Sequence, residues 1–93
     1  MMNNNVRQMV LSALHNASGY PMGDVESELG YGVAIMTNIF NTILSNSNYE
    51  PTENEWGVIK DAFRLCLKYI DEWEFPAVFD YSKVEVVEFY NKL

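Results

Sequence analysis

Thr52-Glu53-Asn54-Glu55 has the form of a capping box, and behind it apolar side chains recur every three or four residues: Ile59, Ala62, Phe63, Cys66, Leu67, Ile70 and Trp73. In such a box the Thr52 hydroxyl accepts from the Glu55 N–H while the Glu55 carboxylate reaches back to the Thr52 N–H, so two orphan donors of a helix start are satisfied at once. The seam that follows has the period of one helix face. Box and seam together predict a helix over roughly 52–74. Glu74-Phe75-Pro76 should end it, because proline disfavours helical geometry in the residue before it. A stripe this long must be buried against other elements, which makes an all-α bundle the expected class.

The rest of the chain supplies those elements. Val6, Met9, Val10, Ala13, Leu14 and Ala17 predict a helix over roughly 4–17, closing at Gly19 with Pro21 beyond it. Asp24 is a suitable N-cap for a second helix, and Glu26 and Glu28 suit the positive end of its dipole. Two forms stand open there: one helix over roughly 25–45, or a kink at Gly30-Tyr31-Gly32 followed by a helix from about 33. Met36, Ile39, Phe40, Ile43 and Leu44 extend the stripe from Val33, Ile35 widens one edge, and Asn38, Asn41 and Thr42 occupy the other side. Ser45 to Pro51 reads as a loop, and Ala77-Val78-Phe79-Asp80-Tyr81 as an apolar connector.

A second capping box, Ser82-Lys83-Val84-Glu85, opens the last segment, roughly 82–92. Val84, Val86, Val87, Phe89 and Tyr90 favour extended backbone, so a terminal strand is the rival. Helix is preferred, since a lone strand has nothing to pair with. The expectation is a single helical domain over residues 1–93, a compact bundle of four helices around the third.

Composition decides which functions such a bundle can serve. Apolar residues make up 48% of 93, with two Trp, six Tyr and five Phe, enough for a core without staples. A homodimer would complete that core if the stripes are wider than one chain can bury. The net charge is −7, and no Lys or Arg lies between Gln8 and Ile59. Direct nucleic-acid binding and anionic membranes are therefore disfavoured, and basic protein surfaces favoured. No stretch approaches 18 uninterrupted apolar residues, and the start Met1-Met2-Asn3-Asn4-Asn5 lacks the pattern of a secretory signal. With Cys66 as the only cysteine, a reducing, cytoplasmic setting is expected.

Chemistry is sparse. His15 has no nucleophile or orienting carboxylate at a useful spacing, and one Cys with one His makes no zinc set. The carboxylate pairs stand near helix ends, and no glycine-rich phosphate loop is present. No cofactor, metal or enzymatic activity is expected. A helix-turn-helix could be traced through Val6–Leu44, but its reading helix would carry Asn38, Asn41 and Asn46 and no cation.

Two surfaces are left as candidates. Lys60, Arg64 and Lys68 form a stripe on the third helix, with Trp56 one turn before and Glu72 one turn after, where Lys68–Glu72 would pair. With Glu53, Glu55 and Asp71 they make the candidate partner-binding face, since Trp and Arg are enriched at binding hot spots. Asn38, Asn41 and Thr42 mark an uncharged candidate for self-association. The functional expectation is a small acidic protein-binding factor: an inhibitor, an antitoxin or immunity-type protein, or a phage or mobile-element accessory protein. Its partner would be basic, such as a nucleic-acid-binding protein. A structural or regulatory homo-oligomer is the alternative, and a helix-turn-helix regulator the second.

Overall fold

The computed structural model describes residues 2–19, 30 and 32–93, and these form an all-α bundle. In chain order the helices are α1 (Asn4–Gly19), α2 (Val33–Ser45), α3 (Glu53–Tyr69), a 3-10 turn (Glu72–Glu74), α4 (Phe75–Phe79) and α5 (Lys83–Asn91). The described helices share one hydrophobic core. No helix among the described residues is long and apolar enough to cross a membrane.

The centre of the bundle is α1, where the sequence pattern pointed to the third helix. It packs against α2, α3 and α4 together. Val10, Ala13, Leu14 and Ala17 are fully buried on it, with Met9 and Leu11 close to that. The small side chain of Ala13 lets α3 approach closely, and there the Cys66 thiol donates to the Ala13 carbonyl at 3.6 Å. α3 contributes Ile59, Ala62, Phe63, Leu65 and Cys66 to the same core. Leu65, off the predicted seam, is as buried as Phe63. α3 is walled on several sides, so its apolar arc is wider than a single stripe.

The expected second helix begins at Val33. Gly32 is its extended N-cap (φ −83°, ψ 167°), so no continuous helix runs through that position. The Gly19–Gly23 turn beyond residue 19, Asp24, Glu26, Glu28 and Tyr31 lie outside the described residues. The C-terminal end of α2 is held from α1. The Arg7 guanidinium donates from one terminal nitrogen to the carbonyls of Ile43 at 3.1 Å and Leu44 at 3.3 Å. α2 has no basic residue in its own last turn, so Arg7 supplies the positive charge that a helix C-terminus favours.

The third helix is shorter than its predicted 52–74. α3 ends at Tyr69, with Ile70 extended (φ −87°, ψ 131°) while its N–H still bonds to the Cys66 carbonyl. The break swings the chain so that Ile70, Phe75 and Phe79 are buried, and Trp73, placed on the seam by its spacing, points outward at 78% exposure. Phe75 is helical (φ −57°, ψ −44°) although Pro76 follows, contrary to the expected stop. Pro76 stands in the first turn of α4, where its missing N–H costs nothing. Complete burial of the Phe75 ring, worth about 1.5–3 kcal/mol, offsets the disfavoured geometry. The stretch expected to be a connector is thus partly α4, whose Phe75 and Phe79 rings stack at 5.4 Å. Asp80 ends it at φ 61°, a left-handed position that Asp tolerates.

The last segment is helical, which removes the strand alternative. Both arms of the Ser82–Glu85 capping box are formed. Val86 is buried, and Phe89 meets Phe63 at 5.4 Å, so the apolar residues follow a three-residue spacing rather than alternation.

Candidate interaction surfaces

Trp56, Lys60, Arg64 and Lys68 all lie on α3 and so do line up, one turn apart. Trp56 is half-buried against the core edge and lines a groove of about 340 Å³ with Glu53, Gly57, Lys60 and Leu93. Arg64 donates to Asp61 at 3.4 Å, an exposed pair of the kind worth little. The Lys68 ammonium lies 5.0 Å from the centroid of the Tyr69 ring. The helical premise for a Lys68–Glu72 pair is absent, because the helix has ended before Glu72 and Ile70 is extended.

Glu55 has an internal task. Its carboxylate accepts from the Thr52 N–H at 2.9 Å and from the Tyr49 hydroxyl, while its own N–H donates to the Thr52 hydroxyl oxygen at 3.1 Å. The bond from the Thr52 backbone, then that from Tyr49, hold the Glu55 carboxyl below its ordinary pKa, against a smaller opposing effect of burial. Tyr49, donating to that carboxylate, is raised above the ordinary tyrosine value. Glu55 therefore closes the Asn46–Thr52 loop onto the start of α3 and is committed within the chain. Glu53, at the same helix end, is exposed.

Asp71 and Glu72 are exposed just beyond the far end of α3 and immediately precede Trp73. The Asp71 side chain makes no capping bond to the 3-10 turn it precedes. An indole raised on a tight turn between carboxylates can stack on a cation while the carboxylates accept its N–H groups. Spacing had assigned Trp73 to the core. The signal in the sequence was its context: within Asp71-Glu72-Trp73-Glu74 it is surrounded by carboxylates.

On α2, Asn38, Asn41 and Thr42 are exposed, as are Val33, Ile35 and Leu44. On the α1 side a groove of about 350 Å³ is lined by Arg7, His15, Phe40, Leu44 and Val78, among others. There His15 packs against the Phe40 ring at 5.7 Å. A second groove of about 260 Å³ lies on the α3 side between Ile35, Ile39 and Val58. Arg7 was overlooked as a functional cation, although it is the only one before Lys60.

Fold and surfaces together define an acidic helical bundle with an uncharged face on α2 and an acidic, tryptophan-bearing corner after α3. No protein-family model matches the chain, and comparison with curated proteins and with solved structures likewise finds no match.

Proposed function

We propose that this protein is a small acidic binding factor that engages a basic protein partner through the corner formed by Asp71, Glu72 and Trp73. The observation that carries this reading is Trp73, 78% exposed beside carboxylates that themselves reach solvent. An isolated exposed tryptophan costs solubility and adds nothing to a core. Next to Asp71 and Glu72 it offers a partner's Arg or Lys a π face and charge-assisted acceptors. The net charge of −7 steers such a partner in and sets the protein in competition with nucleic acid for the same basic surface. Inhibition, antitoxin or immunity action, and service as an accessory to a phage or mobile element are the roles in which such capture is useful.

The test is affinity isolation from the native host with mass spectrometry, run beside Trp73→Ala and the double reversal Asp71→Lys, Glu72→Lys. Glu55 is left intact because it caps α3. A basic protein recovered by the wild type and lost from both variants supports the reading. A partner held equally by all three would end it.

A further inference from the structure

Among the described helices longer than two turns, α2 alone carries no charged residue from its first position to its last. Met36, Ile39 and Ile43 face the core, so the remaining side is an outer face. Its hydroxyls are turned into the helix. Thr37 donates to the Val33 carbonyl at 3.2 Å, Thr42 to Asn38 at 2.9 Å and Ser45 to Asn41 at 2.7 Å. The threonine hydroxyls being satisfied locally, the face is more apolar than its composition. Val33, Ile35 and Leu44 add exposures of 39%, 42% and 54%.

The face has two edges. At about 100° per residue, Val33, Thr37, Phe40 and Leu44 fall along one edge of the face, and Ile35, Asn38 and Thr42 along the other. In an antiparallel two-fold pair of helices each edge meets the same edge of the copy. A two-fold axis midway between the two α2 helices, level with positions 38 and 39, sets Val33 opposite the second copy's Leu44, Thr37 opposite its Phe40 and Ile35 opposite its Thr42. Each contact occurs twice. The small residue Ala34 stands on the middle of the face, where bulk would hold the backbones apart.

Electrostatics names the same occupant. Two copies of a chain carrying −7 repel across any face that bears carboxylates; α2 itself has none, and Glu55 of α3, which lines the groove beside Ile35 and Asn38, is engaged by Thr52 and Tyr49. A basic partner or a nucleic acid finds nothing there to bind. We infer that the outer face of α2 docks a second copy of this chain, antiparallel, about a two-fold axis near Asn38–Ile39. This surface is separate from the Trp73 corner, so either assignment can fail alone.

A helix of this length spans about 20 Å, which places the interface at the small end of specific contacts, about 1,000 Å². The dimer should therefore dissociate on dilution. Added salt screens the repulsion between copies and should tighten it, opposite to the capture of a basic partner. Sedimentation equilibrium of the full chain at low and high salt tests both points. The expected result is a monomer–dimer equilibrium that shifts toward dimer with salt. Asn41→Glu, on an exposed position, should weaken it about tenfold or more, while Trp73→Ala leaves it unchanged and circular dichroism shows both variants folded. Register is tested by mild oxidation: Val33→Cys with Leu44→Cys in one chain should cross-link copies, and Val33→Cys alone should not. A monomer at every attainable concentration, a dimer indifferent to Asn41→Glu, or equal cross-linking by Val33→Cys alone would each overturn the proposal.

Discussion

Arg7 should be worth more to this protein than any other cation in it. Its guanidinium bridges from α1 to the last carbonyls of α2, at 3.1 Å to Ile43 and 3.3 Å to Leu44. Hydrogen bonds to charged groups contribute about 1.5–3 kcal/mol, but the best of them are about 2.7–2.9 Å long, so the lower end applies. The charge at the helix C-terminus adds about 0.3–1 kcal/mol. Against this, the Arg7 Nε is buried with no partner, a cost of about 1 kcal/mol that returns when the side chain is removed. The two contacts share one terminal nitrogen and are counted as one bond, so the net expectation for Arg7→Ala is a loss of about 1–1.5 kcal/mol. At about 4–8 °C per kcal/mol for a domain of this size, the melting temperature falls by roughly 4–12 °C. Arg7→Lys, which keeps the charge but not the fork, should lose about half as much. Urea and thermal unfolding followed by circular dichroism measure this, with Gln8→Ala as an exposed neighbour for comparison. A change below about 0.5 kcal/mol for Arg7→Ala would refute the argument that α2 is capped from α1.

Two further outcomes follow from single side chains. Burial pushes the Cys66 thiol up to about 12, so at neutral pH it stays protonated as well as enclosed. A thiol reagent should label native protein only as fast as the bundle opens, and the denatured chain at once; rapid native labelling would contradict the α1–α3 packing. The second concerns Glu55, whose pKa is lower folded than its ordinary value of 4.5. Its contribution to stability is then present above that value and lost as pH falls through the folded value. Glu55→Gln keeps an oxygen for the Thr52 N–H but removes the charge, so it should cost about 0.3–1 kcal/mol at neutral pH, with the difference from wild type vanishing in acid. Denaturant titrations across pH would read this, and a difference that grows in acid has the wrong sign.

Much of the architecture was legible because local signals agreed with tertiary packing. Both capping boxes formed as read, at Thr52–Glu55 and Ser82–Glu85, since each is complete within four residues. The seam on α3 was visible for the same reason. What failed was competition for space. Trp73 has the right spacing to continue the seam, and only the folded chain shows Ile70, Phe75 and Phe79 filling the core beside it. The role of Arg7 was hidden because the carbonyls it caps lie 36 and 37 positions away. Glu55 was legible as the capping-box carboxylate as well as a candidate for the partner-binding face; the Tyr49 hydroxyl that also donates to it lies in the preceding loop and left no local signal. The same displacement that hid Trp73 from its spacing makes it the residue on which the proposed function turns.

The most direct test of that function is the affinity of the purified protein for its isolated partner as a function of salt. Capture by Asp71, Glu72 and Trp73 predicts an affinity that falls steeply as salt rises, with a shallower slope for the Asp71→Lys, Glu72→Lys variant. Trp73→Ala should lose affinity by about tenfold or more while keeping the wild-type slope. An affinity indifferent to salt, or one unmoved by Trp73→Ala, would contradict the account.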